Sequence, residues 1–422
     1  MPDNTPASLA DWLIHLEALH PKTIELGLDR VDLVRIALQL SPSVPVILVG
    51  GTNGKGSVCA YLEAMLAAAG YKVGLYTSPH LLRYNERIRM DRCEVDDMAL
   101  CRAFAAVEAA RGPVSLSYFE FGTLAAVWLF DRAEVDVMVL EVGLGGRLDA
   151  VNIFDPACAI VSSVDIDHAE YLGDTREKIG FEKAGIFRAD RPAVCGEVRP
   201  PQSLTRHAAA IGADLFIIGQ AFSIEAGASD WHYSGRREYR NLPNPVMLGR
   251  YQLNNAACAI AALETLEDSL PVSEMAIHQG LQSARVAGRF QILPGQPEVI
   301  VDVAHNPHAA AALSANLKAR PSKGKTLALI GMLADKDIDG VAQAMHAEID
   351  EWLLVSLDVA RGATALRLYE ALRQAGVRGS IICSDNVAKG WSLACERASE
   401  NDRICVFGSF YTAAQVLQLA GR

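Results

Sequence analysis

The sequence predicts an α/β protein in two parts: a P-loop-containing, mostly parallel sheet domain over residues 1–288 and a smaller, Rossmann-like α/β domain over residues 289–422. Three observations carry this. A short apolar run, Val46 to Val49, ends abruptly in a glycine-rich loop with one lysine and one serine, and helical and then strand periodicity follow. Two more apolar runs, 136–140 and 158–164, end in acidic or imidazole side chains. After the Pro- and Gly-rich stretch Gly288-Arg-Phe-Gln-Ile-Leu-Pro-Gly-Gln-Pro297, which we read as the break between domains, the alternation of strands and helices starts again.

In order along the chain, Leu9 to Leu19 and Asp29 to Leu40 repeat apolar residues at helical spacing. The run at 46–49 then delivers its loop to a helix expected from about Ser57 to Ala69, and a strand at 72–76 closes a βαβ unit. Helices are expected over 96–111 and 117–132, and strands over 136–140 and 158–164. Residues 220–250 mix polar, aromatic, Pro and Gly residues and read as a strand-and-turn insertion. Helices over 255–268 and 273–283 precede the break, and strands at 299–303, 326–330, 352–357, 380–383 and 404–407 follow it.

The 39 basic and 50 acidic side chains give a net charge of −11, without any Lys/Arg-rich run, so nucleic acid and anionic membranes are poor candidate partners. Nine cysteines with no Cys-x-x-Cys pair read as buried thiols in a reducing compartment. The start, Met-Pro-Asp-Asn-Thr-Pro, lacks the basic and apolar segments of a signal peptide, so a cytoplasmic protein is expected.

The glycine loop is where chemistry is most legible. Glycines at 50, 51, 54 and 56 allow several backbone N–H groups to face one anion, the helix N-terminus adds partial positive charge, and Lys55 adds a full one. The pattern departs from the strict P-loop because Val49 and Gly56 occupy its first and last defined positions. Glu141 and His168 each follow an apolar strand, where they could reach the same sheet edge. A carboxylate beside a polyphosphate suits Mg²⁺, although histidine is an unusual ligand for so hard an ion, and an ion-paired Glu141 or a core His168 are open alternatives. Asp302, His305 and Asn306 gather ahead of Pro307 in the same way, with helix capping as the competing explanation. Lys183, beside Glu182, reads by itself as a solvated lysine on a short amphipathic helix.

Taken together, Thr23-Ile-Glu-Leu-Gly-Leu28, Gly51-Thr-Asn-Gly-Lys-Gly-Ser57, Thr77-Ser-Pro-His-Leu81, Leu140-Glu-Val-Gly-Leu-Gly-Gly-Arg-Leu-Asp149, Glu182-Lys-Ala-Gly-Ile-Phe187, Asp302-Val-Ala-His-Asn-Pro-His308 and Gly408-Ser-Phe410 resemble the folylpolyglutamate synthase/dihydrofolate synthase family of the Mur ligase superfamily. That resemblance implies an ATP- and Mg²⁺-dependent amide ligase. Its substrates would be dihydropteroate, tetrahydrofolate and L-glutamate, joined through an acyl phosphate by a monomeric cytoplasmic enzyme. The first domain would bind ATP and the pterin, and the second would be the glutamate-ligase domain. Thr52, Asn53, Gly54, Lys55, Gly56 and Ser57 would hold the triphosphate, with Asn255, Arg289 and Asp302 as further nucleotide contacts. Ser78, Glu141 and His168 would surround magnesium, and Lys183 matches a lysine that the superfamily carbamylates to hold a second ion. Lys55, Lys183 and His305 would serve catalysis. Glu25, Leu26, Gly27, Leu28, Ser117, Tyr118, Phe119, Glu120, Leu148, Asp149 and Ala150 match pterin-side contacts. The stretch near Arg289 would let two domains close over the intermediate. A muramyl-peptide ligase would share the loop, Glu141 and Lys183 but would not be expected to carry the 23–28 or 305–308 forms. A P-loop nucleotide switch or a non-catalytic binding protein would form no product.

Overall fold

The computed structural model describes residues 6–22 and 25–421. Thr23 and Ile24, part of the 23–28 motif, and the first five residues of the chain lie outside the described residues. The chain divides into two compact units, Met1–Val246 with Leu253–Ala284, and Met247–Gln252 with Arg285–Arg422.

The first unit is organised on an eight-stranded sheet of β1 (Val46–Gly50), β2 (Val73–Tyr76), β3 (Ile88–Met90), β4 (Cys93–Glu94), β5 (Val137–Glu141), β6 (Cys158–Val161), β7 (Pro192–Cys195) and β8 (Asp214–Ile217), in the order β4-β3-β2-β5-β1-β6-β7-β8. Six strands are parallel, and β3 and β4 add an antiparallel edge. Every residue of β1 and β5 is buried, which explains their continuous apolar sequence: helices cover both faces. Burying each such Val, Leu or Ile contributes on the order of 1.5–3 kcal/mol, so this central pair is fixed before any ligand arrives. Because β5 and β6 flank β1 on opposite sides, the strand order reverses direction at β1, the place where open α/β sheets bind ligands.

Helix ends follow local chemistry. Ser8 and Asp11 form a capping box on the helix Leu9–Leu19, which buries Trp12 and Leu16. Ser117 and Glu120 do the same for Tyr118–Arg132. The insertion is a three-stranded antiparallel sheet, β9 (Ser223–Ala226), β10 (Asp230–Ser234) and β11 (Glu238–Pro243), in the order β11-β10-β9. It is held to the helix Tyr251–Thr265 by Glu264, whose carboxylate accepts from the Tyr233 hydroxyl at 2.7 Å and from the backbone of Arg236 and Arg237.

The second unit carries β12 (Gln291–Leu293), β13 (Glu298–Val301), β14 (Thr326–Ile330), β15 (Glu351–Val355), β16 (Ser380–Ser384) and β17 (Arg403–Phe407), in the order β12-β13-β17-β14-β15-β16. All but β12 are parallel. Residues 288–297, read as the break between domains, carry β12 and the Pro- and Gly-containing turn that leads into β13, its antiparallel partner at the sheet edge.

Two smaller expectations fail. The helix after β1 begins at Lys55, not near Ser57, because left-handed Gly54 is its N-cap. The cysteines are all free thiols, yet Cys93, Cys383 and Cys395 are exposed and Cys101 is half-buried: Cys93 is on the edge strand β4, and Cys395 on the solvent side of the helix Val387–Arg397. Among the described residues no helix is long and apolar enough to cross a membrane.

Candidate active site

The loop after β1 is rigid before any phosphate binds. Thr52 donates its N–H to Ser163 O at 2.8 Å, and its hydroxyl donates to Asp165 O and accepts from Asp165 N, both at 3.0 Å. Asn53 N donates to Ser163 Oγ, and Asn53 O accepts from the hydroxyls of Ser162 at 2.7 Å and Ser163 at 2.9 Å. A Cβ on Gly51 would lie 2.0 Å from Ser162 Oγ, and one on Gly54, where φ is +86°, would lie 2.5 Å from Asn255 Oδ1. Only glycine fits at either place, and the second contact sets Asn255 directly over the loop. Lys55 folds back so that its ammonium donates to Gly51 O at 3.1 Å and Thr52 O at 3.3 Å. The helix it starts, Lys55–Ala68, has a glycine N-cap with no side chain to cap it, and its N-terminus carries the partial positive charge that suits an anion.

Glu141 ends β5 in register with Val49 of β1 and is 4 % exposed. One carboxylate oxygen accepts from Ser78 N at 3.0 Å, and a Cβ on Gly56 would be 3.9 Å from both oxygens. Ser78, Glu141 and the phosphate loop therefore converge. His168, half-buried with φ +52°, takes its N–H to Asp167 Oδ1 beyond the carboxyl end of β6. Among the described residues no group of three or more His, Cys, Asp or Glu forms a metal cage. The donor set fits Mg²⁺, which takes one or two carboxylates and completes its shell with phosphate oxygens and water.

Lys183 corrects its own sequence reading. It is not solvated but 3 % exposed, in the last turn of the helix Arg176–Ala184. Burial and the nearby charge of Lys55 bring its amine down to about 7, against the opposing pull of Asp167 and Asp149. Glu182 faces away and pairs with Arg147 at 2.8 Å. Helical spacing alone did not reveal which side of this short, polar helix the sheet covers.

The segments expected on the pterin side, scattered in sequence, meet in space. Gly27 N donates to Leu148 O at 3.3 Å, while Arg30 pairs with Glu25 at 3.2 Å and Glu120 at 3.0 Å. His20 Nε2 lies 2.6 Å from the same Glu25 oxygen that Arg30 pairs with, and Lys22 reaches the other at 3.3 Å; together they draw that carboxyl below its ordinary value. Asp149 is buried and raised to about 7, although Leu144 N and Val151 N donate to it. The Tyr76 and Phe119 rings stand 5.7 Å apart, and Phe119 lies against Gly143, where a Cβ would come within 2.7 Å. Leu26, Leu28, Tyr118 and Ala150 belong to the same segments.

In the second unit, Asp302 is buried and its carboxyl raised by that burial, with Phe290 N and Ala304 N donating to it at 2.8 and 2.7 Å. The Arg289 guanidinium lies 5.3 Å from the Phe410 ring centroid, and the His305 ring 6.1 Å from the same ring. His305 Nδ1 donates to Val303 O at 2.8 Å. Asn306 is a helix cap, accepting from Ala309 N at 2.9 Å, with Pro307 at the first helical position. Capping, one of the two explanations for this cluster, accounts for Asn306.

Sequence reasoning missed Ser162, Ser163, Asp167 and Arg30. The serines lie inside the run read as a strand to 164, although β6 stops at Val161, and two consecutive serines ending an apolar run beside a glycine loop were the available signal.

An anion loop at the switch point of a parallel sheet, a buried carboxylate beside it and a buried amine behind it define a Mur-type ligase. The Mur ligase middle domain matches residues 49–263, and the Mur ligase glutamate ligase domain matches residues 288–410. Within that class the chain belongs to the dihydrofolate synthase/folylpolyglutamate synthase family. It is 48 % identical to the dihydrofolate synthase/folylpolyglutamate synthase of Escherichia coli K12 over 97 % of this chain and 95 % of that one. The solved E. coli structure in complex with DHPP and ADP superposes with a TM-score of 0.94 at 47 % identity, covering 99 % of this chain and 98 % of that one. The bifunctional Yersinia pestis enzyme complexed with AMPPNP and Mn superposes with a TM-score of 0.93 at 45 % identity over 100 % of both chains.

Proposed function

We propose that this chain uses ATP and Mg²⁺ to join L-glutamate to dihydropteroate and to tetrahydrofolate or its polyglutamates. The carrying observation is the convergence on one sheet edge of the open helix N-terminus with Lys55, the Glu141–Ser78 pair and the buried Lys183. The substrate carboxylate attacks the γ-phosphorus and ADP departs, giving an acyl phosphate. The glutamate amine then attacks the acyl carbon, phosphate leaves, and the amine gives up a proton.

Thr52, Asn53, Gly54, Lys55, Gly56 and Ser57 would form the phosphate cradle, with Thr52 and Asn53 fixing the loop through their N–H groups on Ser163 and the positions after them supplying backbone N–H groups and one ammonium, with Asn255 against the loop. Phosphoryl transfer depends on such positioning and charge neutralisation. Ser78, Glu141 and His168 would hold Mg²⁺, which when bound neutralises charge on the transferring phosphoryl group. Lys183 is suited to carbamylation because its low proton affinity leaves a large neutral fraction that can add CO₂ and release a proton. The resulting carbamate would hold a second ion. Arg289 and Asp302 would contact the nucleotide, and His305, with its Nδ1 proton given to Val303, would accept the amine proton at Nε2. Glu25, Leu26, Gly27, Leu28, Ser117, Tyr118, Phe119, Glu120, Leu148, Asp149 and Ala150 would bind the pterin side. Residues 1–288 would act as the nucleotide and pterin domain and 289–422 as the glutamate-ligase domain, in a monomeric cytoplasmic enzyme.

The test is ADP release by the purified chain with dihydropteroate and with tetrahydrofolate separately. We expect release with each acid only when L-glutamate is also present. Slow hydrolysis indifferent to acid and amine would instead mark a nucleotide switch.

A further inference from the structure

Arg87 follows β2 in the segment that also carries Ser78, and Thr77 N donates to Arg87 O at 2.9 Å. It is half-buried, and no carboxylate among the described residues pairs with it. Other arginines of this unit differ: Arg30, Arg89 and Arg147 each reach a glutamate. The nearest acid in sequence, Glu86, is already engaged by the N–H groups of Leu81, Leu82 and Arg83 at 2.6 to 2.7 Å.

What holds Arg87 is uncharged. Its Nε donates to His80 Nδ1 at 2.8 Å, so that ring nitrogen carries no proton. Its guanidinium lies 5.3 Å from the Tyr84 ring and 5.4 Å from the Tyr118 ring, and those rings meet edge-on at 5.7 Å. A guanidinium fixed by two aromatic faces and one imidazole keeps its Nη fork for an anion and loses little entropy when one binds.

Its position selects the anion. Tyr118 belongs to the 117–120 segment on the pterin side, while Ser78, hydrogen-bonded to Glu141, belongs to the phosphate side. A pteroyl acid is an aromatic body ending in a carboxylate that must approach a triphosphate, and a fixed cation between the two halves offsets that repulsion. We propose that Arg87 binds the carboxylate end of the pteroyl substrate, with Tyr84, Tyr118 and His80 as its positioning residues. This rests on the ligase reading above.

Glutamate-dependent ADP formation by the wild-type chain with dihydropteroate tests that reading by itself. Arg87 is then tested by equilibrium binding of dihydropteroate and of an analogue lacking the carboxylate, on wild type, Arg87→Met and Arg87→Lys. Wild type should bind the analogue about ten- to hundredfold more weakly than dihydropteroate, whereas Arg87→Met should bind the two alike. Arg87→Lys, a point charge without the fork, should fall between. ATP binding unchanged in each variant confirms an intact fold. Equal binding of the two ligands by wild type overturns the proposal even if Arg87→Met does not fold. A rise in KM confined to L-glutamate also overturns it, by moving Arg87 to the amine substrate.

Discussion

The two units contain the same local device, a parallel strand running through a short loop into a helix, and they finish it in opposite ways. After β1, the helix Lys55–Ala68 starts on left-handed Gly54 with no side-chain cap. After β13, the helix Pro307–Ala319 starts on Asn306, whose side chain caps Ala309 N, followed by a proline with no N–H to offer. At the first end the cap has no side chain to engage a backbone donor, whereas the second consumes or lacks its donors. An anion site is therefore a helix start left unfinished, and the sequence difference is glycine against Asn-Pro.

The largest expected effect breaks the open end. Lys55→Ala should lower product formation at least about 10²–10³-fold, since it removes the one full charge on the phosphates, and leave the circular dichroism spectrum unchanged. Near-normal turnover would mean the backbone donors suffice. Gly54→Ala comes next, because the new methyl would meet Asn255 Oδ1 at 2.5 Å on a backbone with φ +86°. We expect about 1–3 kcal/mol of strain, seen as weaker ATP binding in calorimetry and a lower unfolding midpoint. A variant that binds ATP normally would show that the loop tolerates another conformation.

Lys183 sharpens the comparison through pH. In an unfolded chain its amine stays protonated up to its ordinary value of 10.5, whereas in the folded protein it loses its proton near 7. Between these values the unfolded chain holds more protons, so stability rises with pH across the window, and below it the cost of a buried charge is present in full. Lys183→Met should flatten the stability curve from pH 7 to 10.5 and be the more stable protein below 7. Parallel curves would place Lys183 in contact with water.

These junctions also show what a sequence displays. Val46–Gly50 and Val137–Glu141 are legible because strands buried on both faces must be apolar throughout, and a glycine loop between strand and helix has few other uses. Lys183 was not legible without the family resemblance, since a helix reading Arg-Glu-Lys-Ile-Gly-Phe-Glu-Lys-Ala does not say which lysine the sheet covers. Short edge strands such as β3, β4 and β12 lack the length for a periodic signal, and β7 and β8 lie in a stretch for which the sequence suggested no element. The Arg30 bridge joins residues 90 apart in sequence, a pairing no local pattern can announce.

The smallest expected effect belongs to the closed end. Asn306 side-chain capping satisfies a helix donor that would otherwise be exposed at a start already short of one by Pro307, so Asn306→Ala should cost about 1 kcal/mol in denaturant unfolding. Turnover should stay within a few-fold of wild type, because His305 is oriented by Val303 O rather than by the cap. If turnover instead falls as steeply as in Lys55→Ala while stability holds, Asn306 touches the reacting groups. The difference between an open and a finished helix start would then describe phosphate binding alone, with the second junction serving the chemistry through its side chains.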